Sequence, residues 1–274
     1  MRVAVGLSLL LLWLLAGCTS GLEQRQGYSV DTRLAAQGAR PRVKTVVIHY
    51  TAEDFSTSLA TLTDKEVSVH YLIPTQPPQH RGTPLIWQLV PEQELAWHAG
   101  ISYWRGATRL NDTSIGIELV NPGYRRTAQG RQFYPFSPAQ MAALLPLLRD
   151  LINRYHIPPQ NIVGHSDIAP QRKQDPGPLF PWAQLATHGI GAWPDALRVE
   201  TLLQGRDRFQ PVAQEALLTL LARYGYEVSA ATTPEQQRRV IAAFQMHFRP
   251  VDYRGSADAE TLAIAQALVE KYDR

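Results

Sequence analysis

Short apolar runs of β-type residues occupy the first two thirds of the sequence and constrain its fold more than any other feature. Each run is rich in Val, Ile, Leu or aromatic residues and is bounded by turn residues, which is typical of strands. A strong helix pattern lies between the last two runs. Strands mixed with a helix in one stretch of about 160 residues predict an α/β domain with a central mixed sheet flanked by helices. The predicted strands are residues 45–50, 67–73, 85–90, 115–120 and 162–165.

The helix between the last two runs has clear signals at both ends. Ser137 suits the N-cap, Pro138 suits the first helical position, and Gln140 completes a capping box. Apolar residues then recur at helical spacing until Pro158-Pro159 prevents continuation. These signals predict a helix that packs on the sheet.

Beyond Gly205 the pattern changes to helices alone. We predict three, over residues 212–224, 233–248 and 257–272, with Gly225 as a C-cap of the first. Three short helices in about 70 residues form a small bundle that is marginal alone but plausible when attached to a larger domain. The sequence therefore divides into an α/β domain at residues 43–204 and a small all-α domain at residues 205–274.

The N-terminus is predicted to be a targeting signal. Residues 1–17 combine a positive start with an apolar run that is short for a membrane span, which needs about 20 residues. The run closes in Leu15-Ala16-Gly17-Cys18, which resembles the lipobox of bacterial lipoproteins; the alternative is a plain signal peptide followed by a chance cysteine. We expect a lipid on Cys18, which is the sole cysteine and so excludes an internal disulfide. In the lipoproteins that this pattern resembles, an aspartate after the cysteine favours the inner membrane; Thr19 at that position implies the periplasmic face of the outer membrane. Residues 18–42 would then be a polar tether.

The charge balance excludes one class of partner. The 274 residues hold 27 Lys and Arg against 24 Asp and Glu, a formal charge of +3. This mildly basic balance favours acidic polymers or surfaces but is too weak to indicate nucleic-acid binding. Only four of the basic residues are lysines, which makes Lys173 stand out.

Two histidines end predicted strands and are candidate metal ligands. His49 follows the apolar residues 46–48, and His165 ends the run that begins at Asn161. Asp175 lies in the loop that follows, which is rich in proline and glycine. Two imidazoles and a carboxylate are a set by which a catalytic zinc keeps a fourth position for water. A lone strand-end histidine is more often a satisfied core residue, so the residues by themselves leave both interpretations open.

Two charged residues are candidates for the chemistry. Glu118 alternates with apolar neighbours on a predicted strand, and a buried carboxylate is costly unless it is paired or functional. Near a zinc-bound water it would be a general base; the alternative is a salt-bridged structural glutamate. Lys173 lies two residues before Asp175, where a cation would stabilise an oxyanion; the alternative is a solvated loop lysine.

The other histidines carry weaker signals. His98 follows Trp97 in a probable loop and suits the wall of a cleft, whereas His70 fits either the core or the support of a site. The rest have no supporting context and are interpreted as surface or structural residues: His80, His156, His188 and His247.

Five motifs occur in a fixed order: residues 47–51 (VIHYT), 68–71 (SVHY), 97–100 (WHAG), 111–118 (NDTSIGIE) and 164–177 (GHSDIAPQRKQDPG). Together they resemble the type 2 N-acetylmuramoyl-L-alanine amidases, which share the zinc amidase and peptidoglycan-recognition-protein fold. The resemblance implies hydrolysis of the amide between N-acetylmuramic acid, or its anhydro form, and L-alanine in cell-wall turnover or recycling. It also implies one zinc ion on His49, His165 and Asp175.

The same resemblance implies roles for further residues. Glu118 would activate water, Lys173 would assist at the oxyanion, and His98 and Asn111 would contact the substrate. The tail resembles a peptidoglycan-binding domain of three helices in residues 220–226 (LLARYGY), 243–245 (AFQ) and 258–261 (DAET). We expect a monomer whose partners are peptidoglycan or muropeptides and the outer membrane. Two alternatives stay open: a non-catalytic peptidoglycan-binding lipoprotein, and a structural tether between the outer membrane and the wall.

Overall fold

A computed structural model describes residues 21–128 and 130–273, which form two compact units with a division after residue 40. The first unit holds an antiparallel hairpin of β1 (Leu22–Arg25) and β2 (Tyr28–Asp31), where the sequence predicts only a polar tether. The signal segment and Cys18 lie outside the described residues, so the lipobox stays a prediction. Among the residues that are described, no helix has both the length and the apolar character needed to cross a membrane.

The second unit alternates strands and helices and then continues with helices alone. Short 3₁₀ turns lie at Leu110–Asp112 and Pro159–Asn161. Its strands are β3 (Thr45–Tyr50), β4 (Tyr71–Ile73), β5 (Gln79–His80), β6 (Thr83–Pro84), β7 (Trp87–Gln88), β8 (Tyr103–Trp104), β9 (Ala107–Thr108), β10 (Ser114–Leu119), β11 (Tyr124–Thr127), β12 (Gly130–Phe133) and β13 (Ile162–Gly164). Its helices are α1 (Phe55–Leu62), α2 (Pro138–Tyr155), α3 (His165–Ile168), α4 (Trp182–Thr187), α5 (Ala196–Leu203), α6 (Gln214–Tyr224), α7 (Pro234–Phe248) and α8 (Ala259–Tyr272).

The central sheet is mixed, as predicted. Its order in the described part of the chain is β13–β3–β10–β4–β7, with the first four strands parallel and β7 antiparallel to β4. Val46, Val47 and Ile48 of β3 are all fully buried, because a central parallel strand is covered on both faces. Both bonds of the predicted capping box at Ser137 and Gln140 form, and α2 packs its apolar face on the sheet.

Several predicted strands are shorter in the structure. Of residues 67–73 only Tyr71–Ile73 pairs, because Ser68 instead binds the loop at Trp97 through both its amide and its hydroxyl. The predicted strand at residues 162–165 stops at Gly164, and His165 begins α3. The cause is Asp167, whose Oδ2 accepts the Gly164 amide proton at 2.7 Å and so closes a helical turn.

The predicted C-terminal helices are confirmed, and they share a core with the sheet. Val47 and Val163 of the sheet belong to the same buried cluster as Leu221 of α6 and Phe244 of α7. Helix α5, which precedes the predicted boundary at residues 204 and 205, packs on α8. The change of sequence pattern near Gly205 therefore does not coincide with a break in the core.

Candidate active site

The predicted functional residues meet at the carboxyl edge of the sheet. His49 and Glu118 are register partners on the parallel strands β3 and β10. His165 directly follows β13, which pairs with β3 on its other side. Because parallel strands end at the same edge, three of the predicted side chains converge there. Asp175 arrives from the loop that follows α3.

The three predicted metal ligands form a compact triangle. His49 Nδ1 lies 2.9 Å from His165 Nδ1 and 2.9 Å from Asp175 Oδ2, and the third edge, from His165 Nδ1 to Asp175 Oδ2, is 3.0 Å. All three residues are buried, and their donor atoms make a set that could hold a metal ion.

Hydrogen bonds behind the triangle fix how the His49 ring is protonated. The Ser114 hydroxyl donates to the Leu110 carbonyl at 2.5 Å, so it accepts from His98 Nε2 at 3.2 Å. With its proton on Nε2, His98 has only a lone pair on Nδ1, which therefore accepts from His49 Nε2 at 3.1 Å. His49 Nδ1 is left as a lone pair that points into the triangle.

For His165, a single hydrogen bond sets the tautomer of the ring. Its Nε2 lies 3.1 Å from the carbonyl oxygen of Ala99, which can only accept, so in the neutral ring Nε2 carries the proton and Nδ1 holds the lone pair. Metal-ligating histidines typically donate their other ring N–H to a carbonyl, a carboxylate or water. Burial, and next the neighbouring His165 ring, lower the pKa of His49 to about 4, which keeps that ring neutral at physiological pH.

A cation fits this arrangement. With both rings neutral, two nitrogen lone pairs and a carboxylate oxygen converge, and they repel one another unless a positive ion lies between them. Donors at 2.0–2.2 Å from a tetrahedral zinc stand about 3.3–3.6 Å apart, somewhat wider than the edges of the triangle, so the three side chains would separate slightly around the ion. The donor set and the ring hydrogen bonds both suit zinc.

Glu118 lies beside the triangle and lines the same cavity. Within the described residues, its buried Oε2 has no hydrogen-bond partner. Buried Glu92 is the opposite case, since Arg154, Tyr155 and Tyr71 engage its oxygens and bring its pKa to about 2. Burial, and next the nearby Asp175, raise the pKa of Glu118 well above its usual range, a state that suits a general base.

A cavity of about 390 Å³ contains these groups. The residues that line it include His49, Glu118, Lys173, His165 and Asp175. Exposed Trp97 lies at its wall. The cavity therefore holds an acid–base group, a cation and a metal-ligand set together.

The two predicted substrate-binding residues have structural contacts. His98 lines the cavity, but both its ring nitrogens are engaged by His49 and Ser114. Asn111 does not line it; its Oδ1 accepts from the backbone amides of His98 at 3.1 Å and Ala99 at 2.7 Å. Asn111 thus holds the loop that carries His98, and substrate contact by either residue stays a prediction.

Gly116 makes the close approach of His98 to the sheet possible. A Cβ at this position would lie 2.5 Å from His98 Cγ, closer than non-bonded carbons approach. A side chain there would push the ring, and with it the hydrogen bond to His49, out of place.

Sequence reasoning missed three residues, which we call the Asp167 cluster: Asp167, Tyr226 and His247. Asp167 Oδ1 accepts from the Tyr226 hydroxyl at 2.5 Å, and Oδ2 lies 2.7 Å from His247 Nδ1. All three are almost fully buried, and His247 stacks on Trp182 at 3.8 Å between ring centroids. The cluster joins α3, which begins with the predicted ligand His165, to α7 and to the segment between α6 and α7. No local signal could have found it, because the partners are 59 and 80 residues away in sequence.

Known proteins resemble the chain along most of its length. The family model described as N-acetylmuramoyl-L-alanine amidase matches residues 39–178. N-acetylmuramoyl-L-alanine amidase AmiD of Escherichia coli K12 is 66% identical over 261 residues, which cover 94% of this chain and 95% of that protein.

Solved structures of other proteins are also similar to this chain along most of its length. A complex of AmiD from E. coli with the substrate anhydro-N-acetylmuramic acid-L-Ala-D-gamma-Glu-L-Lys superposes with a TM-score of 0.90 at 66% identity, over 92% of this chain and 98% of that one. AMPDH3 from Pseudomonas aeruginosa superposes with a TM-score of 0.82 at 39% identity, over 91% of this chain and 100% of that one.

Proposed function

This chain belongs to the N-acetylmuramoyl-L-alanine amidase family and is an amidase, and we propose that its activity requires one zinc ion on His49, His165 and Asp175. It hydrolyses the amide between N-acetylmuramic acid and L-alanine in peptidoglycan or its fragments. The observation that carries the zinc assignment is the buried triangle of two imidazole nitrogens and a carboxylate oxygen, whose edges are 2.9–3.0 Å. Anhydro-muramyl peptides are the proposed soluble substrates, since the E. coli relative was solved with one.

The residues of the cavity divide the chemistry among them. Zinc, when bound, would polarise the scissile carbonyl and lower the pKa of a water from 15.7 to about 7. Glu118, whose raised pKa suits proton transfer, takes the proton of the attacking water and delivers it to the leaving amine of L-alanine. The Lys173 ammonium supports the negative charge that develops on the carbonyl oxygen.

Removal of the metal is expected to abolish activity reversibly. The purified protein is incubated with a defined muropeptide before and after treatment with a chelator, and the products are identified by mass spectrometry. We expect release of the intact stem peptide, loss of release after chelation, and recovery on adding one equivalent of zinc. Release that survives complete zinc removal would overturn the zinc assignment, and a protein that binds but never releases peptide would be a receptor instead.

We further propose that a lipid on Cys18 anchors the protein to the periplasmic face of the outer membrane. The support is the lipobox pattern of residues 15–18. The replacement Cys18→Ser is expected to remove the protein from the outer-membrane fraction. It is also expected to abolish incorporation of labelled palmitate. Palmitate labelling that persists in Cys18→Ser would contradict the assignment.

A further inference from the structure

A second cavity, larger than the first, adjoins the predicted catalytic one. Its volume is about 760 Å³, and it shares Arg172, Lys173 and Gln174 with the first. The hairpin of β11 and β12, the loop after α3, and helix α7 enclose it. We call this cavity the basic groove.

The basic groove concentrates the positive charge of the protein. Seven cationic side chains line it, against the single carboxylate of Glu235. Asp252 pairs with one of them, Arg254, from just outside, which still leaves a surplus of five. Since the whole chain carries a formal charge of only +3, the rest of the chain is acidic on balance. A cleft lined by one sign of charge attracts ligands of the other sign.

Two of the cations stand directly opposite each other. Arg126 of β11 and Arg131 of β12 are register partners in the hairpin, and both line the groove. Like charges in this position destabilise a strand pair. Neither guanidinium has a carboxylate partner among the described residues, so an anion from outside the chain would relieve the repulsion.

The facing walls are also short of negative charge. On α7, Arg238 and Arg239 share one carboxylate, that of Glu235, at 2.8 and 3.0 Å. At the junction with the catalytic cavity, the hydrogen bonds of Arg172 to the described residues go to the neutral carbonyl oxygens of Ala99 and Ile101. The groove thus keeps its net positive charge on each of its walls.

We propose that the basic groove binds the free carboxylates of the peptidoglycan stem peptide. The inference rests on the proposed function, because it places the peptide on the far side of Lys173 from the scissile amide. In the peptide bound by the E. coli relative, the γ-linkage of D-Glu leaves the α-carboxylate free. Guanidinium groups bind carboxylates through paired, charge-assisted hydrogen bonds. Continuity with the catalytic cavity and the charge of the groove both favour this occupant.

The test compares the double variant Arg126→Gln/Arg131→Gln with the wild type on two substrates. One is anhydro-N-acetylmuramic acid-L-Ala-D-γ-Glu-L-Lys, and the other is the same compound with the α-carboxylate of Glu amidated. We expect the double variant to raise KM for the first substrate about tenfold, with kcat within about twofold of wild type. Amidation is expected to raise the wild-type KM similarly and to have no further effect on the double variant.

Arg125→Gln is the matched control. Arg125 lies on the same strand but outside the groove, where it donates to Gln132 at 2.7 Å, and its replacement is expected to leave KM unchanged. An unchanged KM in the double variant, or an equal loss on the amidated substrate, would overturn the proposal. The proposal would also be overturned if the double variant lost binding to phosphatidylglycerol vesicles with no change in KM, because the groove would then bind a lipid surface.

A binding measurement separates this proposal from the proposed function. Calorimetry of the zinc-free protein with the same two compounds reports on the groove even if no peptide is ever released. Weaker binding of the amidated compound supports the groove, whereas equal binding of both compounds would contradict it.

Discussion

Glu118→Gln is expected to abolish turnover while the protein keeps its zinc. The amide is isosteric with the carboxylate but cannot accept the proton of a water, and loss of a general base costs roughly a hundred- to ten-thousand-fold in kcat. Because Glu118 is not one of the three predicted ligands, metal content should stay at one ion per chain. Steady-state release of peptide, with zinc measured on the same sample, checks both expectations.

Glu118→Gln is expected to disturb few other contacts in the structure. The buried Oε2 of Glu118 has no hydrogen-bond partner among the described residues, so no protein contact to that atom is lost. The neutral amide avoids the cost of burying a carboxylate charge at this site, so the melting temperature should stay equal or rise. Glu53→Gln is the matched control, since Glu53 lines the same cavity but is exposed, and its activity should stay within a few-fold of wild type. Full activity in Glu118→Gln, or loss of its zinc, would refute the assigned role.

Asp167→Asn is expected to weaken zinc binding, although Asp167 is not a predicted ligand. Its two oxygens accept from Gly164 N, the Tyr226 hydroxyl and His247, and an amide nitrogen in that place would face donors. The turn that begins with His165 would then shift. Loss of a group that orients a metal ligand typically costs about 10–100-fold in metal affinity. Competition with a chromophoric chelator measures that affinity independently of activity.

Tyr226→Phe tests the same contact with less disturbance. It removes one hydrogen bond to Asp167 Oδ1 and keeps the ring, so a smaller loss of zinc affinity is expected. Tyr224→Phe is its control, because Tyr224 is an equally buried neighbour that donates no hydrogen bond to Asp167. If Asp167→Asn binds zinc as tightly as the wild type and only its melting temperature falls, the Asp167 cluster merely stabilises the fold.

Local signals explain which parts could be predicted from the sequence. The sequence predicts strand β3 from an apolar run and helix α2 from a capping box, because both signals depend only on residues close together in the chain. His49, His165 and Asp175 could be proposed because strand ends and a distinctive loop mark them. Their convergence needed the strand order, which local patterns do not contain.

Other features depend on contacts between distant segments. The resemblance implies that Asn111 contacts substrate, which stays a prediction; the hydrogen bonds that its Oδ1 accepts from the amides of residues 98 and 99 are visible only in the fold. His247 gave no signal because its partners, Asp167 and Trp182, come from another part of the chain. The predicted strand at residues 67–73 was too long because strand propensity does not say whether a partner strand is present.

The shared core of the sheet and the C-terminal helices has a thermodynamic consequence. Val163, two residues before His165, packs in the same buried cluster as Leu221 and Phe244. Elements that share a core unfold together. An ion that binds only the folded state raises the free energy of unfolding, and it does so for every element that unfolds together with its site. Zinc held at the strand ends would therefore protect helices α6, α7 and α8 against heat and proteolysis, although none of them supplies a ligand to it.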